Sequence, residues 1–176
     1  MIPMFITTRK ARHEDSQAIA HLLYAHYSFS SEQEANETFQ REYALHYHFR
    51  VAESEGRIVG IVSWRMHGLM KHGIIKLKRA AVSLEAQQWE DVLEVLFDAA
   101  LADADWYYRT HGTALRKVYT VIPKNHDPMH VFLQEKGMEL EAVLRDHYYQ
   151  GRDEYLYSLF LNQPQNFKAL LSSTGA

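Results

Sequence analysis

Between Ile74 and Asp105 the spacing of apolar positions changes once, and the chain reads outward from that change. Ile74–Val82 is apolar and β-branched, as a strand is. From there Trp89, Val92, Leu93, Leu96, Ala100 and Ala104 recur every three to four residues, on one face of a helix. A strand that feeds a long amphipathic helix is half of an α/β unit. The same patterns predict the remaining elements. Phe5–Lys10 is extended, and a helix over His13–Tyr27 turns Ala18, Ile19, Leu22, Leu23 and Tyr27 inward. Ser31, three residues before Glu34, opens a second helix through a capping box, with Phe39, Tyr43 and Tyr47 at four-residue spacing.

Phe49–Ser54, the Glu55-Gly56 turn and Arg57–Met66 read as a β-hairpin, with Gly60 marking a bulge or a close neighbour. Leu115–Ile122 is a strand that Pro123 ends. Asp127 as N-cap and Pro128 at N1 start a short helix, Met129–Lys136, which Gly137 stops. Glu139–Tyr149 and Asp153–Leu161 form a second hairpin. The expected fold is α/β (α+β mixed), a single mixed, mostly antiparallel twisted sheet of about seven strands with helices on both faces. Residues 1–162 make one domain, and 163–176 form a C-terminal tail.

Composition narrows the function classes. The chain has 176 residues, 47% hydrophobic and 23% charged, the profile of an ordinary globular domain. Nineteen Lys and Arg against 22 Asp and Glu give a formal charge of -3, so no nucleic-acid partner is expected. Cysteine is absent, which excludes a thiol nucleophile and thiolate-held metal. No apolar run reaches the ~20 residues of a membrane span, and residues 1–12 lack the pattern of a signal peptide, so no membrane partner and a cytoplasmic location are expected. His126 and His130, and likewise His46 and His48, lack the further ligands a zinc site needs, so no metal is expected.

The order of elements, with FITTRKARHEDSQAIAHLL, VAESEGRIVGIVSW and FLQEKGMELEAVLRDHYYQGRDEYLYSLFL, resembles the GCN5-related N-acetyltransferase (GNAT) superfamily. The resemblance implies transfer of an acyl group, usually acetyl, from acetyl-CoA or another acyl-CoA to an amine on a small molecule or peptide. It puts the pantetheine arm between the fourth and fifth strands and the pyrophosphate at the helix start after the fourth. The cofactor-binding residues it implies are Val82, Gln87, Gln88, Trp89 and Asn125.

In place of the superfamily's glycine-rich loop the sequence has Gln87-Gln88-Trp89-Glu90-Asp91-Val92, without glycine. Where a general-acid tyrosine is frequent it has Leu133, beside Phe132. Two readings follow: an acyl-CoA-dependent N-acyltransferase, and a binding or structural protein that kept the scaffold and lost transfer. For the amine proton, Tyr119, Glu139, His111 and His147 are candidates that spacing does not separate, and the catalytic residues stay unassigned. The tyrosines Tyr107-Tyr108 and Tyr148-Tyr149, with Tyr155 and Tyr157, leave some rings to line a substrate cleft or a dimer contact, and a homodimer is a reasonable expectation.

Overall fold

In the computed structural model, which describes residues 5–86 and 88–161, seven strands form one mixed sheet in the order β1-β2-β3-β4-β5-β7-β6. The strands are β1 (Thr7–Lys10), β2 (His48–Ser54), β3 (Arg57–Met66), β4 (Ile74–Val82), β5 (Lys117–Pro123), β6 (Glu139–Tyr149) and β7 (Arg152–Phe160). The helices are α1 (Ser16–His26), α2 (Glu32–Ala44), α3 (Trp89–Thr110) and α4 (Asp127–Glu135). β4 and β5 run parallel, while the pairs β1/β2, β2/β3, β5/β7 and β6/β7 are antiparallel. The expected fold class is the one observed. No helix among the described residues is long and apolar enough to cross a membrane. Two compact units share β4 and α3: one comprises the chain up to Arg65 with Leu77–Ala104, the other Met66–Lys76 with the chain from Asp105 on.

In the first unit, α1 and α2 cover one face. Ile19, Leu22, Leu23, Ala35 and Phe39 pack on Phe49, Val51, Ile61 and Ala81 in one buried cluster. Ala18, expected inside, is exposed, and Ala20 is buried in its place. The helix also starts late: His13–Asp15 is a 3-10 turn, and α1 begins at Ser16. Asp15 is drawn away from the helix end by Arg9 (2.7 and 2.9 Å) and by the Arg12 N–H (2.7 Å). These contacts hold its carboxyl below the ordinary carboxylate range, the Arg9 hydrogen bonds most of all.

The cap of α2 is as expected, with Ser31 Oγ accepting from Glu34 N–H (3.1 Å). Glu34 reaches back to the Ser30 N–H rather than to Ser31. α3 takes the opposite face of the first unit through Gly60, whose neighbour Ile61 points the other way. A Cβ on Gly60 would stand 2.7 Å from Val92 Cγ1 and 2.9 Å from Leu96 Cδ1. The β2/β3 register also shifts there, between Ala52, opposite Gly60, and Glu53, opposite Ile58. Both meanings offered for this glycine, bulge and close approach, therefore hold at once.

In the second unit β7 lies between β5 and β6. α4 covers one face, with Phe132 and Leu133 buried and His130 beside Tyr155 and Tyr157. The N-cap of α4 is His126 and not Asp127, with no side-chain cap bond; Gly137 follows at φ +77° as a stop. β5 starts at Lys117, two residues later than its apolar pattern suggests. The N–H groups of Arg116 and Lys117 both donate to the Gly73 carbonyl (2.7 and 3.0 Å). The tail from 163 on lies outside the described residues.

Candidate active site

In the first unit the candidate site lies at the end of β4. Ser83 N–H donates to Val59 O on β3 (2.8 Å). Backbone groups alternate along a strand, so those of Ala80 and Val82 point to the edge away from β3. Side chains from the end of α1 meet that edge. Ala80 N–H donates to the Tyr27 phenol oxygen (3.0 Å), and the phenol O–H donates to the Ala80 carbonyl (3.2 Å). His26 Nε2 lies 2.5 Å from the Val82 carbonyl, which requires the proton on Nε2.

Arg79 backs this arrangement. Its guanidinium lies over the rings of Tyr27 (4.9 Å) and Phe29 (5.7 Å) and is held by both oxygens of Glu42 (2.7 and 3.3 Å). Burial pushes the Tyr27 hydroxyl above the usual phenol range, against the pull of the Ala80 backbone and Arg79, and so keeps it a neutral donor and acceptor.

Beyond Val82 the chain turns tightly. Ala86 N–H donates to Ser83 O (3.0 Å), Glu85 N–H donates to Ser83 Oγ (3.3 Å), and α3 opens at Trp89. Gln88 and Glu90 are exposed and Trp89 is half-buried. Gln87 lies outside the described residues. A helix start of this kind presents N–H groups and the positive end of its dipole. Here Glu90 and Asp91 stand in its first turn, and no Lys or Arg lies between Ser83 and Val92. These residues suit a ligand's amides at the β4 edge better than a doubly charged pyrophosphate at the helix start. Val82, Gln88 and Trp89 thus share one stretch of the first unit. Asn125 belongs to the second unit, exposed in the turn that His126 N–H closes onto Pro123 O (3.1 Å).

The second unit has a cluster of its own at the parallel ladder pairing Ile74 with Lys117, Ile75 with Val118 and Lys76 with Tyr119. Gly73 anchors its start at φ +63°, where a Cβ would run into the Ala114 carbonyl, so no other residue fits. Tyr108 O–H donates to Ile74 O (2.8 Å). At the other end the Tyr119 hydroxyl lies 2.8 Å from His67 Nδ1, in the turn after β3.

The four proton-transfer candidates have different surroundings. His111 Nδ1 is engaged by the Tyr107 carbonyl (2.7 Å), His147 packs its ring on Tyr148, and Glu139 is exposed at the start of β6. Tyr119 has an imidazole on its oxygen. Sequence reading missed His67, Tyr27 and His26 because each partner is more than fifty residues away in the chain. The spaced histidines have other uses: His130 bonds Tyr157 Oη and the Lys124 carbonyl, and His48 stacks on Trp64 at 3.8 Å. Among the described residues no group of three or more His, Asp or Glu could hold a metal ion. Leu133, at the superfamily's tyrosine position, is core.

No protein-family model and no curated protein matches this sequence. Solved structures do. A point mutant of the spermidine N-acetyltransferase SpeG of Vibrio cholerae aligns with a TM-score of 0.73 at 16% identity, over 93% of this chain and 98% of that one. The N-acetyltransferase of Staphylococcus aureus Mu50 aligns with 0.70 at 16% identity, over 90% and 99%. YncA of Salmonella typhimurium, solved with its cofactor acetyl-CoA, aligns with 0.66 at 14% identity, over 91% and 96%. The fold of this chain is that of the GNAT superfamily.

Proposed function

We propose that the protein is an acyl-CoA-dependent N-acyltransferase that moves an acyl group, acetyl in the first instance, onto an amine. The observation that carries this reading is the edge of β4 at Ala80 and Val82. Its peptide groups exchange hydrogen bonds with the side chains of Tyr27 and His26. A backbone edge that exchanges a donor and an acceptor with a phenol can do the same with the amides of a pantetheine arm. The fold likeness supports the same reading. Ala80 and Val82 would hold the arm, and the N–H groups at Gln88 and Trp89 would face its phosphates. The acyl-CoA supplies an activated carbonyl; the protein's part is to orient an amine against it, exclude water and move one proton.

A second reading is a non-catalytic binding protein on the same scaffold. It draws on the loop without glycine, the acidic first turn of α3 and the apolar Leu133. Calorimetric titration of acetyl-CoA into the wild type and into Glu90→Lys separates the two. Binding that tightens in the variant supports phosphates at the start of α3. Absence of heat from both folded proteins sinks the enzyme reading. A cytoplasmic location and a homodimer, argued from the sequence, belong to this proposal; sedimentation at micromolar concentration tests the dimer.

A further inference from the structure

Tyr119 stands at a defined point of the second unit. It is the last residue of β5 in the parallel ladder, opposite Lys76, and it faces Ser158 across the antiparallel pairing with β7. Its hydroxyl meets His67 Nδ1 at 2.8 Å, with the two rings edge to face, 5.3 Å apart at 84°. The turn that carries His67 is tied down by its own bonds. His67 N–H donates to Ile74 O (2.8 Å), His72 N–H to Leu69 O (2.9 Å) and Leu69 N–H to His72 Nδ1 (3.1 Å). The imidazole is therefore presented to Tyr119 by a fixed loop.

Charged side chains of the same unit stand near the phenol. Lys76 Nζ lies 5.8 Å from the centre of the Tyr119 ring. Ser158, opposite Tyr119, gives its hydroxyl proton to Glu141. That carboxylate is itself bound by Lys117 Nζ (2.6 Å) and held below the ordinary range, by Lys117 first and then Ser158. Among the described residues, the groups near the phenol include the His67 imidazole, Lys76 and the Glu141 carboxylate, which Lys117 pairs. α4 packs on the other face of these strands, against Tyr155 and Tyr157, which alternate with Ser158. Tyr119 is half-buried and His67 exposed, so the imidazole has solvent behind it.

We infer that Tyr119 is the catalytic residue that accepts the acceptor amine's proton, and that His67 is the positioning residue that takes up the phenol proton in turn. The inference rests on the acyltransferase reading. In the step, the amine nitrogen forms a bond to the acyl carbon and the carbon–sulfur bond breaks. The amine proton passes to the Tyr119 oxygen as the phenol proton passes to His67 Nδ1. The imidazolium releases a proton to solvent, and the departing thiolate takes one from solvent, so one amide and one thiol are made per turnover. A free phenol, with a pKa of about 10, is a poor base at neutral pH. An imidazole lone pair on its hydrogen removes that difficulty, because the oxygen gains one proton while losing another.

The test uses the full chain with acetyl-CoA as donor and spermidine, benzylamine and a short peptide with a free N-terminus as acceptors, following thiol release. Tyr119→Phe is expected to lower kcat/KM by roughly 100-fold, the lower end of proton-transfer catalysis, with the acetyl-CoA Kd unchanged. His67→Gln is expected to lose the acidic limb of the kcat/KM profile against pH. A second readout needs no turnover: in the protein alone, the nitrogen NMR chemical shift of His67 Nδ1, which reports its hydrogen bond, should move when Tyr119 becomes Phe. An active wild type whose Tyr119→Phe variant keeps its rate and pH profile would overturn the inference, as would a His67 Nδ1 chemical shift that the variant leaves in place. Binding of acetyl-CoA without transfer to any of the three amines overturns it while leaving the cofactor site standing. Loss of binding as well removes the acyltransferase reading itself.

Discussion

Tyr27 and Ala80 exchange two hydrogen bonds, the Ala80 N–H donating to the phenol oxygen at 3.0 Å and the phenol O–H donating to the Ala80 carbonyl at 3.2 Å. A side chain thereby does for β4 what a neighbouring strand does elsewhere in the sheet. In the proposed enzyme that place belongs to the pantetheine arm, so Tyr27 and the ligand compete for one peptide group. Removing the phenol oxygen in Tyr27→Phe gives up bonds worth about 1 kcal/mol in the free protein, and we expect acetyl-CoA to bind roughly fivefold more tightly. Calorimetry on the two proteins checks this, and an unchanged or weaker Kd counts against competition at Ala80.

Arg79 and Glu42 form a bidentate pair whose side chains are only 15% and 8% exposed. Glu42→Gln leaves a guanidinium buried without its counter-charge and is expected to cost about 3 kcal/mol in urea unfolding. The double variant Glu42→Leu with Arg79→Met should recover much of that loss, because an apolar pair has no charge to desolvate. A double variant no more stable than Glu42→Gln alone would show that the ion pair is not what the site requires.

Gly60 sets how closely α3 approaches β3. In Gly60→Ala the new methyl meets Val92 Cγ1 and Leu96 Cδ1 inside van der Waals contact. Overpacking of this kind costs about 1–3 kcal/mol, so the melting temperature should fall. Val92→Ala in the same chain should return part of the loss by vacating the nearer contact, and strict additivity of the two changes would argue against it.

His48 is stacked on Trp64, whose indole N–H donates to Asp103 (3.3 Å), and its pKa lies below the ordinary 6.5, by burial first, with Asp103 opposing. The unfolded chain therefore binds a proton that the folded chain resists. Stability is retained above pH 6.5 and falls as the pH drops from there through the folded-state value. In His48→Phe this part of the acid slope should vanish, as equilibrium unfolding between pH 7 and pH 5, on the order of these limits, will report. A slope identical to wild type would assign acid sensitivity to other groups.

The local signals in the chain were the reliable ones. Ser31 with Glu34, Gly137 after α4 and the β4-to-α3 change of period each act within a few residues, where dihedral preference and capping decide the outcome. Boundaries slipped where a partner outside the element intervened. Asp15 left the start of α1 for Arg9, and β5 began late because Gly73 O collected two N–H groups from Arg116 and Lys117.

The sequence alone determined the seven-strand architecture, the superfamily resemblance, the lack of cysteine chemistry and the acidic, glycine-free start of α3. All of these follow from residue type and short spacing. Only the tertiary structure decided that His26 and Tyr27 occupy the β4 edge and that His67 meets the Tyr119 hydroxyl. The reason is one of range. Hydrogen bonds reach about 3 Å, and the groups that meet here are 56, 53 and 52 residues apart in the chain. No pattern of residue types records such a meeting until the sheet is folded.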